Sequence, residues 1–207
     1  MNVLLGNNIK GGSLFVPGWD LTSLGYTAYL YKYFGLYANE IGPVYPIWNY
    51  PTPEAPNAIS QIITDMFFYC PGVDLAAYAS PYVNVFMYVF DHIPSWSKDR
   101  KLGCYHTSEL PFVFQRPPSP SVQFSQSEIK LAQTMSNFWR NFAYSSNPNG
   151  NGSIVWTQWT NSARNNVQIK TSELPQVRNF RSTFCSFWDS LLDQICFALP
   201  CKCNGDC

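Results

Sequence analysis

The run Tyr82-Val83-Asn84-Val85-Phe86-Met87-Tyr88-Val89-Phe90 carries no charge and is mostly aromatic or β-branched, and Asp91-His92-Ile93-Pro94 ends it at once. Side chains of those types suit a pleated, packed surface, so the run predicts a strand. It falls well short of the roughly 20 apolar residues that a membrane helix needs. Helical periods lie on both sides of it. Upstream, Asn57 stands where it can cap a helix beginning near Ala58, and Ile59, Ile62, Ile63, Met66 and Phe67 then share one face as far as about Cys70. Downstream, Ser125 and Glu128 make a capping box, and Ile129, Ala132, Met135, Phe138, Trp139 and Phe142 follow at helical spacing.

The rest of the chain continues the alternation. Val3-Leu4-Leu5-Gly6 running into Gly11-Gly12 predicts a buried strand of an α/β sheet, and Val167-Gln168-Ile169-Lys170 a brief one. The tyrosines and the Gly-Pro and Tyr-Pro breaks between Asp20 and Tyr50 predict short helices and loops that form a wall rather than a core. Asn147 to Gly152 reads as a turn cluster, and Gln176 to about Leu199 as a last helix stopped by Pro200.

Thirteen Lys and Arg offset thirteen Asp and Glu, so no net field and no basic run point to nucleic acid. Seven cysteines, four of them (Cys196, Cys201, Cys203, Cys207) within the last twelve positions, suit an oxidising compartment. Met1 to Gly6 has neither the positive region nor the apolar length of a secretory signal. The two observations are reconciled if the chain lacks an N-terminal portion that its relatives carry. The tail's gaps of four, one and three residues depart from the two-residue gaps of structural zinc sites, so disulfides are expected there and no metal or cofactor. An odd number of cysteines leaves one without an internal partner, which suits a disulfide-linked dimer. Asn151-Gly152-Ser153 is a glycosylation sequon in a turn.

The segment Gly103-Cys104-Tyr105-His106-Thr107-Ser108-Glu109-Leu110-Pro111-Phe112-Val113-Phe114 follows the strand and a polar loop. It resembles the histidine loop of type B carboxylesterases, the family of the cholinesterases: Gly, two variable residues, His, Gly, any residue, Glu, then an apolar run ending in Phe. Thr107 stands in place of the second Gly. The resemblance extends to Phe86–His92 as the preceding strand, Ser125–Phe142 as the following helix, Asn147-Pro148-Asn149 as its closing turn and Trp156-Thr157-Gln158-Trp159 as a Trp-rich turn. It also implies that Cys70 and Cys185 form the family's internal disulfide.

What the resemblance implies about chemistry is a Ser nucleophile on a Gly-x-Ser-x-Gly elbow, a carboxylate, and a histidine at His106, with backbone N–H groups holding the oxyanion. No serine of this sequence lies in such an elbow, and no His-Gly-Gly stretch is present. The acid's strand and turn resemble Leu5 to Phe15, but Gly11 occupies the position of the family's Glu. Lys10 cannot replace it, and Asp20 or Glu40 would have to approach from elsewhere. Leu14 and Ser108 stand where choline-hydrolysing relatives carry aromatics, which removes cation–π partners for a quaternary ammonium; Phe15 remains as an acyl-side wall or as core. Cys104 fills a variable position and is too near His106 along the loop to form a nucleophile pair. His92 is expected as a surface group at the strand end, and Glu109 within a buried polar network behind His106.

The expected architecture is therefore part of an α/β-hydrolase fold at residues 1–195 with a Cys-rich tail at 196–207. The chain alone is expected not to hydrolyse esters. The alternative is a fragment of an active serine carboxylic-ester hydrolase. The expected location is the secretory pathway, and a missing N-terminal part or a second chain is expected to cover the raw sheet edge.

Overall fold

The computed structural model describes residues 2–97, 101–150 and 155–198. One sheet holds β1 (Val3–Asn8), β2 (Val85–Phe90), β3 (Asn165–Ile169) and β4 (Gln176–Arg178), side by side in that order. The first three run parallel and β4 antiparallel to β3. All six residues of β2 are buried. Val85, Met87 and Val89 enter one apolar core, and Phe86, Tyr88 and Phe90 enter the other. A parallel strand covered on both faces has no polar side to show, which is why its sequence is a continuous apolar run.

The first core packs the sheet against α1 (Ser23–Phe34), α2 (Ala38–Val44), α3 (Glu54–Thr64), α4 (Cys70–Ala79) and α7 (Ser182–Ala198). The second packs it against α5 (Leu110–Val113) and α6 (Gln126–Ser145) through Phe112, Leu131, Met135 and Phe138. The result is a three-layer α/β/α arrangement, the expected partial α/β-hydrolase fold. The Ser125–Glu128 capping box forms as the sequence predicts, with both reciprocal hydrogen bonds present. The outer edge of β1, whose residues are mostly half-buried, pairs with no strand among the described residues.

Four local expectations are corrected. Asn57 is not a cap: α3 begins at Glu54, and the Asn57 amide turns back to donate to the carbonyls of Pro51 and Pro53, both at 3.0 Å. Nor does that helical run end at Cys70. A wide π-turn, Asp65–Tyr69, leads straight into α4, because Pro71 falls in the first turn, where its missing N–H is harmless. The segment from Asp20 to Tyr50 is more than a wall, since Tyr26, Leu30, Ile41 and Tyr45 are buried in the first core. Gln176–Arg178 is a strand rather than the start of the last helix, because Asn165, Asn166 and Val167 offer it an open edge.

Cys70 and Cys185 are joined by a disulfide that ties α4 to α7 across 115 positions of sequence. Closing so long a loop removes about 4 to 5 kcal/mol of chain entropy from the unfolded state. Beside it the buried Asp65 carboxylate accepts from both Arg181 and Tyr45. Tyr45 in turn accepts from Trp188 Nε1 at 2.7 Å.

Candidate functional site

Beyond β2 the chain turns over the C-terminal ends of β1 and β2, and three tethers fix the histidine loop there. Asn8, buried at the end of β1, directs its amide nitrogen at the Tyr105 carbonyl (2.6 Å), Glu109 Oε2 (2.6 Å) and Ser108 Oγ (3.3 Å). Ser13 donates to the Leu102 carbonyl at 2.7 Å, and Ser97 to the Gly103 carbonyl at 2.5 Å. His106 lies between the Asn8-bound residues Tyr105 and Ser108, and its position follows from a strand end 98 residues earlier in the sequence.

Glycine is required at two points beneath this loop. Gly103 has φ +63°, and a Cβ there would lie 2.8 Å from Lys10 Cδ. Gly12 packs flat on α3, where a Cβ would come within 2.2 Å of the Ser60 carbonyl oxygen. Thr107 shows the opposite situation: φ is +73° at a β-branched residue, a region in which only glycine is at ease. The position where the family resemblance expects glycine thus keeps a glycine's backbone.

His106 is exposed and is flanked by rings: Phe68 at 4.8 Å between centroids and Phe15 at 6.1 Å. Gly11 is buried, with ordinary backbone geometry, and a Cβ placed there would meet the Phe68 ring at van der Waals distance, 3.5 Å from Cδ2. The ion pairs among the described residues are His92–Glu128 and Arg181–Asp65, so neither Asp20 nor Glu40 pairs with His106. Lys10 turns away to donate to Asn57 Oδ1 at 2.8 Å, and burial lowers its pKa. Cys104 is buried. Loss of solvent, and then the charge of Asp91, push its thiol up to about 12, so it offers no thiolate to a substrate.

Leu14 and Phe15 are both about half exposed, whereas Ser108 is buried against Asn8. Phe15 lines an open groove of about 430 Å³ with Tyr29, Tyr33, Phe67 and Phe68. It is a wall and not core. Sequence pattern assigns no role to Asn8 or Phe68, because each acts through contacts distant in sequence.

His92 corrects the surface expectation. It is 6% exposed, with Nδ1 2.7 Å from Thr171 Oγ1 and Nε2 3.2 Å from Glu128 Oε1. The cause is Asp91, whose N–H bonds to the Ile169 carbonyl at 2.8 Å, prolongs the sheet by one residue and carries His92 inward. Burial by itself raises the Glu128 pKa. Hydrogen bonds from the Ser125 and Ser95 backbone, and from the Ser125 and His92 side chains, outweigh it and hold the carboxyl at about 2. The sequon at Asn151, the cysteines Cys201, Cys203 and Cys207, and the side chain of Cys196 lie outside the described residues.

A three-layer α/β/α piece with a histidine loop closing over two parallel strand ends, and with a disulfide linking α4 to α7, defines the class of the α/β-hydrolases. The carboxylesterase family model matches residues 49–188, and the chain belongs to that family. It is 31% identical over 147 residues to an acetylcholinesterase of Bungarus fasciatus, covering 67% of this chain and 23% of that protein. It is 25% identical over 188 residues to a cholinesterase of Mus musculus, covering 86% of this chain and 28% of that one. A cocaine esterase of Homo sapiens is 33% identical over 100 residues, 46% of this chain and 18% of that protein. The chain thus spans about a quarter of the length of the first two relatives. His106, Cys70 and Cys185 fall inside the family match, and Gly11 lies before it.

Proposed function

We propose that this chain is an esterase-like module that does not hydrolyse esters by itself. The observation that carries the reading is the surroundings of His106: the neighbours are Phe68 and Phe15, the acid position of the resemblance is Gly11, and no ion pair reaches the ring among the described residues. A histidine without an orienting carboxylate is a weak general base, and no Gly-x-Ser-x-Gly serine exists in this sequence for it to activate. Losing the nucleophile alone removes about a million-fold in rate. A fluorophosphonate probe and a chromogenic acetate ester test the reading on the purified chain. No labelled serine is expected, and hydrolysis no faster than that of His106→Ala. Stoichiometric labelling of one serine would refute the proposal.

The second reading is a stretch of a longer active serine hydrolase, favoured by the quarter-length coverage of the first relatives. On it the nucleophile and oxyanion donors stand on residues outside this sequence, and another carboxylate replaces Gly11. The native mass in the source separates the two readings: a species two- to three-fold heavier than 23.6 kDa after reduction supports the second.

The remaining assignments belong to the same proposal. Residues 1–195 form the esterase-like part, and 196–207 form a tail whose cysteines pair with each other or across a dimer. Asn151 carries a glycan, a partner segment or second chain covers the outer edge of β1, and the compartment is the secretory pathway. The Cys70–Cys185 disulfide supports an oxidising location.

A further inference from the structure

The connection from α5 to α6 carries Pro117-Pro118-Ser119-Pro120-Ser121, and Arg116 is its one charged residue. Proline supplies no N–H to a helix or sheet, and serine beside proline favours turns, so such a segment stays outside the layers. The structure holds it by its two ends. Phe112, buried in the second core, stacks on Phe124 with 5.1 Å between centroids and 9° between planes, and Trp96 stacks on both at 5.5 and 5.8 Å. Residues 114–123 therefore form a loop whose ends are pinned together, an arrangement that projects its middle into solvent.

Within the loop Phe114, Gln115, Arg116, Pro118, Pro120 and Ser121 are exposed, and Ser119 is half-buried. The backbone bonds stay local. The Arg116 N–H donates to the Pro111 carbonyl at 2.8 Å, and the Val122 N–H to the Ser119 carbonyl at 3.1 Å, which closes a turn over residues 119–122. The Ser119 and Ser121 hydroxyls bond each other at 2.9 Å rather than any element of the layers. Thr52 offers a contrast within the same molecule. It too is exposed and flanked by prolines, but its hydroxyl donates to Glu54 Oε1 at 3.1 Å. The carbonyls on either side of it, those of Pro51 and Pro53, are both held by the Asn57 amide at the start of α3.

We propose that Ser121 is an acceptor for an O-linked N-acetylhexosamine, added by a glycosyltransferase from a nucleotide-sugar donor. In the transfer the bond from the anomeric carbon to the diphosphate oxygen breaks and the bond from that carbon to Ser121 Oγ forms. The hydroxyl proton leaves with the nucleoside diphosphate. Serine interspersed with proline is the composition of O-glycosylated segments, and proline-rich backbone enters a transferase cleft with little ordering cost. The loop has no carboxylate to repel the donor's diphosphate, and Arg116 attracts it. Ser121 is the first acceptor because it is the exposed member of the hydroxyl pair. The inference rests on the proposed secretory location for the sugar's presence in the native protein, and not for the acceptor's chemistry.

The test uses the full folded chain, uridine diphosphate N-acetylgalactosamine and a polypeptide N-acetylgalactosaminyltransferase, and is read by electron-transfer dissociation of the tryptic peptide 102–130. A single N-acetylhexosamine on Ser121 is expected. Ser121→Ala is expected to lose most of the incorporation, Ser119→Ala/Ser121→Ala all of it in this peptide, and Thr52→Ala to change nothing. These side chains stand outside both cores, so the variants are expected to keep the unfolding midpoint of the unmodified protein. A free peptide of residues 113–124 that takes the sugar while the folded chain does not would overturn the proposal, as would a folded chain labelled at Thr52 and not in the loop. Transfer to neither chain nor peptide overturns it as well. The same peptide from the protein's natural source tests the location separately: a chain that accepts the sugar on Ser121 in vitro but is bare in the source sinks the secretory reading and leaves the acceptor assignment standing.

Discussion

The two histidines follow the same strand by two and sixteen residues, yet they sit in opposite environments. His92 is buried between a hydroxyl and a carboxylate, and that carboxylate also accepts from the Ser95 and Ser125 backbone N–H groups, the second at the cap of α6. His106 is exposed against phenyl rings. Among the described residues, a hydroxyl, an imidazole and a carboxylate thus converge not at His106 but at His92. There they close the crossover between β2 and α6. Glu128 is held near pKa 2 by hydrogen bonds to its ionised form, which suits a fixed structural anion and not a group that exchanges protons. The contrast teaches that a histidine's neighbours, more than its place in a loop motif, decide what it can do.

The largest effect expected from breaking this contrast is at Glu128. Glu128→Ala removes the buried partner of His92 and leaves the Ser95 and Ser125 N–H groups unsatisfied, so a loss of about 3 kcal/mol is expected in denaturant unfolding. A loss under about 1 kcal/mol would mean that the His92 cluster is no more structural than the His106 loop. A smaller, pH-dependent effect sharpens the point. Because the folded Glu128 pKa is depressed to about 2 from an ordinary value near 4.5, its contribution is complete above about pH 4.5 and is lost as pH falls through about 2. The stability gap between the unmodified protein and Glu128→Gln should therefore close over that window, whereas a gap independent of pH would refute the assignment.

Thr107→Gly should stabilise the protein by about 1 kcal/mol, since it relieves a β-branched residue held at φ +73°. A destabilised variant would show that the threonine side chain contributes more than the strain takes away. The smallest effect is expected at His106→Ala, which should shift stability by less than about 0.5 kcal/mol, as an exposed side chain that rests on neighbouring rings without an ion pair does. The ratio between the Glu128 and His106 variants is the direct measure of the difference between the two sites.

Much of the architecture was legible in residue pattern. The apolar run of β2 and the capping box of α6 are local signals; the capping box formed where expected, and the strand formed over Val85–Phe90, three residues later than the run from Tyr82 suggests. The Cys70–Cys185 pair followed from resemblance to a family and not from spacing, and it is present. Asn57 misled because an asparagine ahead of an apolar period looks like a cap, whereas its amide serves carbonyls upstream and its oxygen serves Lys10. Gln176–Arg178 misled because three residues carry too little period to distinguish a strand from a first helical turn, and the open edge of β3 decided the matter.

By itself the sequence determined which segments are strands or helices at the centre of the molecule, that Gly11 offers no acid, and that no nucleophile elbow lies within these residues. Those are properties of single positions and short periods, fixed by local stereochemistry and side-chain chemistry. Only the tertiary structure decided that Asn8 carries the loop, that Phe68 packs near both Gly11 and His106, and that Glu128 belongs to His92. Each of these joins residues 36 or more positions apart, and the partner of a side chain across such a distance is set by how the layers pack.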